Sequence, residues 1–565
     1  MLSNEESQRQ MARSLSRQSG AVPESLAAEI RGAADGRELT RQAFLMRGAG
    51  GLVAFSSLSA VLAACGSGSS TTGTAGGAGT AGSRPARPTG TLTFAMAGFP
   101  VSLDPTVDGA ISTISVCAQV YEGLTGFDPE YRQLVGVLAT RWETSPDART
   151  WTFTLREGVR FHDGTKLDAT AARKSIEYTL RRTSTFGVLL GAPTLDDSTP
   201  GKLIFRYRDP FPDCARNLTY VGPIFSPKLL AGSTADAEKR VAKQHAGTGP
   251  FQFASVKDGE SIELTAFDGY WGEKAGVARL DFRNVPDESA RNSALAAGDV
   301  NLIVQVAPLP AQSMRANSNL AVQSKPTWTT VCLSPVYTMK PFTDLRVRQA
   351  VLHALDRRTL VDKLLLGQAQ VDDSMLPQGV YGYVVADTTY AYDPSKARAL
   401  LKEAGYDGSP LRMAARADAV LASEISQALA GQLNAAGFKV TAEVLDPAAY
   451  EADINGPNPR YQIHWNEYGW VTGGPFHLTL GDIAARGKYS TPAYDKLVAK
   501  VQSTPDGPAR EAVIKQAVEL WARDAAWATL WVPNRIDVAS ASVQGYRTPP
   551  NVITLLGNAY LNGAA

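Results

Sequence analysis

The chain has 565 residues, with 56 Lys and Arg against 55 Asp and Glu and a formal net charge of +1. That balance excludes a phosphate-tracking nucleic-acid binder, which carries a marked basic excess, and 44% hydrophobic with 20% charged residues excludes a polytopic membrane protein. At about 100–200 residues per domain the length predicts three or four domain-sized units, or two large lobes.

The first predicted element is an export segment. Residues 48–64 form an uncharged run rich in Gly, Ser and Ala, preceded by Arg37, Arg41 and Arg47 and ended by Leu62-Ala63-Ala64-Cys65. This is the layout of a signal peptide, and the run is too short for a membrane span of about 20 residues. Leu62–Cys65 resembles the bacterial lipobox, which implies that Cys65 becomes the lipid-modified first residue of the mature protein. Thr40 to Leu45 is similar to a twin-arginine export motif with Gln42 at the place of the second arginine. Both the twin-arginine and the general export routes therefore stay open. The 36 polar residues before Arg37 leave two alternatives, an extended signal or a true start further along the chain.

Residues 66–89 are, apart from Arg84 and Arg87, Gly, Ser, Thr, Ala and Pro with almost no apolar bulk, the composition of a flexible tether. Gly77 to Gly82 matches G-x-G-x-x-G, but no strand precedes it and no helix follows, so the dinucleotide reading fails.

Beyond residue 90 strand and helix signals alternate, as in an α/β protein. Leu92, Phe94 and Met96 predict a first strand, and Trp151, Phe153 and Leu155 a second after the Pro146-Asp147 turn. Asp168 is placed to cap a helix over 169–181. Residues 342–366 predict a long helix capped by Thr343 or Asp344, with Val347, Ala350, Val351, Ala354 and Leu355 as its core stripe. Arg346, Arg348, Arg357 and Arg358 fall on its solvated face. Further helices are predicted from Asp393-Pro394 to Gly405, over 422–436 and from about Pro508 to Ala525, with strands at 438–444 and 528–532. No internal repeat is present.

Cys117, Cys214 and Cys332 allow either one disulfide with one thiol or three buried thiols. No G-x-S-x-G elbow, H-E-x-x-H pair or phosphate loop occurs, so the enzyme case starts weak, and no cofactor or metal site is expected. His162, His245, His353, His464 and His477 lack the spacing of metal ligands, and His353 is expected to be structural. Asp196-Asp197 and Asp372-Asp373 lie in polar loops. The densest ligand-like cluster is Trp465-Asn466-Glu467-Tyr468-Gly469-Trp470, followed by Thr472-Gly473-Gly474-Pro475. Its aromatic residues either stack on a ligand or alternate into the core.

Several segments, in order, match a known family. They are L-D-P at 103–105, Y-E-G-L at 121–124, the run from Leu138 to Thr165, G-T-G-P-F at 247–251, Y-W at 270–271, P-F-T-D-L-R-V-R-Q-A at 341–350 and Y-D-P-S-K-A-R-A-L-L-K-E-A-G-Y at 392–406. From about residue 91 to 550 the chain resembles the dipeptide, oligopeptide and nickel family of extracellular solute-binding proteins, family 5 of the binding components of ABC importers. The resemblance implies an α/β, two-lobed periplasmic-binding-protein-like fold of type II, cluster C, with a hinge. Lobe one would comprise 90–328 with the return at 531–565, and lobe two 329–530.

The resemblance further implies a monomeric, lipid-anchored protein that captures a small solute, peptides being the family default, and delivers it to a permease driven by separate ATPase subunits. An oligosaccharide or other non-peptide ligand is the alternative, and an extracellular hydrolase a remote one. In dipeptide-binding relatives an arginine at the place of Arg416 pairs with the ligand carboxylate, and an aspartate at the place of Gly473 holds the ligand ammonium. With that aspartate missing, Glu467 is the expected substitute. Trp465, Asn466, Tyr468 and Trp470 complete the expected site.

Overall fold

The computed structural model describes residues 84–562, apart from 108, 183–184, 476–477 and 479–486. The export segment, Cys65, the glycine run and His477 lie outside the described residues.

Strand β1 (Thr91–Met96) pairs in parallel with β10 (Arg279–Asn284) and β11 (Leu302–Ile303). Antiparallel β9 (Ser261–Ala266) and β8 (Phe251–Lys257) extend that side. On the other side β15 (Leu411–Arg416) lies parallel between β16 (Val440–Leu445) and β17 (Ile463–Gly469), and β17 runs antiparallel to β13 (Thr329–Pro335).

One long strand, β18 (Ala528–Ser540), belongs to both sides. Its first residues pair with β13, Val532 and Pro533 with β14 (Ala369–Gln370), and Asn534–Ser540 with β12 (Leu320–Pro326), while Val538 and Ala539 also pair with β11. The result is a twelve-stranded sheet whose two halves are the bases of two lobes. The chain passes between them at Thr327-Trp328 and again near Pro533. The two passages are bonded to each other, because the Thr327 N–H and hydroxyl both donate to the Pro533 carbonyl, at 3.0 and 2.8 Å.

Two smaller sheets stand beside the first lobe. One is the hairpin β2 (Thr125–Phe127) with β3 (Leu134–Gly136). The other has the order β4 (Ala139–Thr144), β5 (Thr150–Leu155), β7 (Lys202–Arg206), β6 (Thr194–Asp196). Trp151, Phe153 and Leu155 turn from β5 into a core shared with α2 (Ala169–Arg181), which Asp168 caps by accepting from the Ala171 N–H.

The helix expected over 342–366 is two helices, α4 (Leu345–Ala354) and α5 (Arg357–Leu364). Leu355 leaves helical geometry and Asp356 caps the second helix through the Thr359 N–H. Arg348 is also corrected: it is buried, donates to the Phe342 and Asp524 carbonyls at 2.7 and 3.0 Å, and lies 4.1 Å over the Tyr337 ring. The strand expected at 528–532 extends to Ser540. Cys117, Cys214 and Cys332 are buried thiols with no disulfide among them. Asp196, expected in a loop, ends β6 and pairs with Arg206 of β7, while Asp197 pairs with Arg173 and Asp373 with Arg357. His353 is buried, with Nδ1 2.7 Å from the Ala391 carbonyl. Among the described residues no helix is long and apolar enough to cross a membrane.

Candidate ligand-binding site

Three short motifs far apart in the chain meet at one carboxylate. Glu122, from Y-E-G-L, accepts hydrogen bonds from the Thr248 hydroxyl of G-T-G-P-F and from the Tyr270 hydroxyl and Trp271 indole of Y-W, each at 2.8 Å. The glycines of G-T-G-P-F are there because backbone meets backbone. A Cβ on Gly247 would fall 1.9 Å from the Val120 carbonyl oxygen and one on Gly249 2.5 Å from that of Gln119. Burial pushes the Glu122 carboxyl up to about 7, against the three hydrogen bonds and Arg156, which favour the ionised form. Arg156 lies 4.4 Å over the Trp271 ring and closes its outer side.

This hub forms one wall of a cavity of about 700 Å³, a size suited to a small organic molecule. Helix α1 (Ile111–Cys117), the β2–β3 hairpin, the end of α3 (Cys214–Val221) and the C-terminal segment with Asn551 and Ile553 form the rest. Several aromatic residues contribute to the lining, among them Phe127, Tyr131, Tyr220, Tyr270, Trp271 and Tyr560. Burial raises the Tyr131 hydroxyl to about 12, against a lowering by Arg535, so it remains a neutral hydrogen-bonding group.

Beside the cavity, Phe127 and Tyr131 stack with centroids 6.0 Å apart, and both meet the Trp328 ring edge-on at 5.0 and 6.0 Å. Trp328 is the residue at which the chain passes from one half of the sheet to the other. The turn after β17 lies against the same rings. Gly473 has φ +65°, and a Cβ there would come 2.9 Å from Phe127 and 3.1 Å from Trp328. The aspartate expected from relatives does not fit this turn. Gly473 serves it through its shape.

The residues singled out in the sequence gather at β17, and none is among the described residues lining the cavity. Trp465 is buried on α7 (Ala422–Ala435) and donates to the Ser426 hydroxyl at 2.8 Å, and Trp470 is buried and donates to the Thr330 hydroxyl at 3.2 Å. Tyr468 packs on Trp527 with centroids 4.8 Å apart, and Asn466 is buried beside the Tyr450 hydroxyl of α8 (Pro447–Asn455). All three rings are packed into hydrophobic core clusters.

Arg416 ends β15 with its fork engaged. Asp418 takes Nε and Nη2 at 2.9 and 2.6 Å, and Glu451 takes Nη1 at 3.0 Å. Glu467, on β17, is exposed. Desolvation and then Asp418 push its carboxyl up, with Arg416 opposing. Both residues stand at the carboxyl ends of parallel strands, where open α/β sheets present ligand crevices. The cavity residues went unnoticed in the sequence reading, although Y-E-G-L and Y-W were in view, as marks of family rather than as walls of a site.

A family model described as "Bacterial extracellular solute-binding proteins, family 5 Middle" matches residues 133–480. The glutathione-binding protein GsiB of Pectobacterium atrosepticum is 28% identical over 477 residues, covering 80% of this chain and 90% of that protein. GsiB of Salmonella typhi is 25% identical over 473 residues, with the same coverage.

Solved structures with the same fold include DppA of Helicobacter pylori in complex with the peptide STSA, at TM-score 0.72 and 23% identity, covering 84% of this chain and 98% of that one. CtaP of Listeria monocytogenes has TM-score 0.78 at 21% identity, and NikA of Brucella suis in complex with Fe(III)-EDTA 0.76 at 22%, each covering 84% of this chain and all of the other. With its family model spanning more than half of the sequence and its two-lobed fold shared along the described chain, the protein belongs to the family 5 extracellular solute-binding proteins, binding components of ABC importers and not enzymes.

Proposed function

We propose that this protein captures a small organic solute, of the peptide class by likeness to its relatives, and delivers it to an ABC permease powered by separate ATPase subunits. The cavity of about 700 Å³ beside the two bonded passages at Thr327 and Pro533 carries this reading. A solute held there rests on Phe127 and Tyr131, the rings that meet Trp328, where the chain enters lobe two. Lobe one is taken as 90–328 with 531–565 and lobe two as 329–530, because β18 changes partner between Trp531 and Asn534. Trp465, Asn466, Tyr468 and Trp470 hold β17 rigid behind the site. Gly473 shapes the turn against Phe127, and Arg416 and Glu467 stand on β15 and β17 outside the cavity lining.

The chain acts as a monomer on the outer face of the membrane, tethered by residues 66–89 and a lipid on Cys65. Labelling cells with a clickable palmitate analogue should mark the wild type and not Cys65→Ser, which is released to the medium. Equal labelling of both would end the anchor reading. Native mass spectrometry of the purified chain tests the function: a co-purifying solute of small mass, lost when Ile553→Trp fills the cavity, is expected. Retention of that solute by Ile553→Trp would place the site elsewhere.

A further inference from the structure

Two indoles and a hydroxyl border one small void, apart from the cavity beside Glu122. Trp521 lies in the last turn of the helix Pro508–Arg523, Trp527 just before β18 and Thr529 at its start, and the three are 3%, 2% and 6% exposed. The Trp521 and Trp527 N–H groups and the Thr529 hydroxyl are buried and make no hydrogen bond to any of the described residues. All three residues line a void of about 30 Å³, room for one water or two. The two indole rings meet edge-on with centroids 5.0 Å apart, and Trp527 packs on Tyr468 of β17. The main chain around them is already paired. The Trp521 carbonyl accepts from the Ala526 N–H at 3.2 Å, and the Thr529 carbonyl accepts from Arg357 at 3.0 Å. The side-chain donors are what this place leaves open.

We infer that the void is a built water site: one or two ordered waters accept from the Trp521 and Trp527 indoles and bond the Thr529 hydroxyl. They tie the end of the helix to the start of β18, the strand that both halves of the sheet share. Left dry, each of the three groups would forfeit the bond it makes to solvent in the unfolded chain. Water suits the wall because it both accepts and donates. Arg357 and Asp373 stand in that wall as well, paired at 2.6 Å, so a cation and a carboxylate are in balance there and a neutral occupant leaves their pair intact.

Crystal structures of the full chain, from crystals grown with and without sodium bromide, test this inference. It expects a density peak in the void within about 2.7–3.2 Å of at least two of the three groups, the same in both crystals. A void without density overturns it. An anomalous bromide signal at that place also overturns it, in favour of an anion. Thr529→Val separates the readings in solution, because it replaces the hydroxyl by a methyl group of nearly the same shape. Loss of a bond to water should lower the melting temperature by about 1–3 °C. Removal of a dry hydroxyl should leave the melting temperature equal or raise it, and that result overturns the inference.

Discussion

Asp213 and Arg510, 297 positions apart in the sequence, meet through two parallel hydrogen bonds of 2.8 and 2.6 Å. Asp213 stands at the head of α3 beside the small four-stranded sheet, and Arg510 lies in α10 (Pro508–Arg523) of the other half, fully buried. Burial alone would raise the Asp213 carboxyl, but Arg510, then Arg216, hold it below its ordinary value. Asp506 adds a second acceptor for Arg510, at 2.7 Å, and Tyr381 lies under both arginines. Removing one partner strands a buried charge, so Arg510→Ala is expected to cost about 3–5 kcal/mol in urea unfolding. Arg510→Lys, which keeps the charge without the fork, should cost less. Equal costs would mean that a charge without the fork contributes nothing.

Gly473→Asp introduces the aspartate that the family resemblance implies at this place and should nevertheless harm the protein. It places a side chain at φ +65° against Phe127 and Trp328. Strain and overpacking of this kind cost about 1–3 kcal/mol, visible as a lower melting temperature. An unchanged melting temperature would show that the aromatic wall yields easily.

Trp470→Ala is expected to act on stability, by about 3–5 kcal/mol, because a buried indole is replaced by a void. Trp470→Phe isolates the hydrogen bond to Thr330 and should cost about 1 kcal/mol. Denaturant titration of the two variants separates packing from hydrogen bonding.

Arg416→Ala removes a half-exposed cation from between Asp418 and Glu451. Exposed pairs contribute about 0–1 kcal/mol, so stability should change little. Solute affinity should stay within about twofold, a factor worth well under 1 kcal/mol. A larger loss of affinity, measured by titration calorimetry, would return Arg416 to the binding surface.

Glu122 gives a pH dependence of definite sign. Its carboxyl ionises at about 7 in the fold against an ordinary 4.5. Between those values the folded state holds more protons than the unfolded one, so this group's stabilisation is complete below about 4.5 and is lost as pH rises through about 7. Glu122→Gln cannot titrate, and its melting temperature should vary less across that window than the wild type's. Parallel curves for the two proteins would assign the slope to other groups.

Strong periodicity was legible in the sequence. The alternation at Leu92, Phe94 and Met96 and the cap at Asp168 are where they were expected. The break after Ala354 was not, because Asp356 can sit on a helix face as readily as it can cap a new helix, and only packing against Gln432, which it meets through a backbone hydrogen bond, decides. Arg348 read as a solvated charge because nothing local announces the Asp524 carbonyl 176 positions away. The cavity was hidden for the same reason: Ile114, Trp271 and Ile553 become neighbours only through the sheet. The cluster from Trp465 to Trp470 drew attention through composition, which does not tell a stacked ligand from a stacked core.

The shared strand β18 makes the lobes poor modules. A chain ending at residue 328 would leave β12 without the strand it pairs with and β11 with β1 alone. One beginning at residue 329 would carry Asn534–Ser540 as a bare edge, its N–H and C=O groups open to any other strand. No cut between the lobes is clean, so they are expected to melt in one cooperative transition, and a lobe from a relative could be grafted only together with its share of this strand.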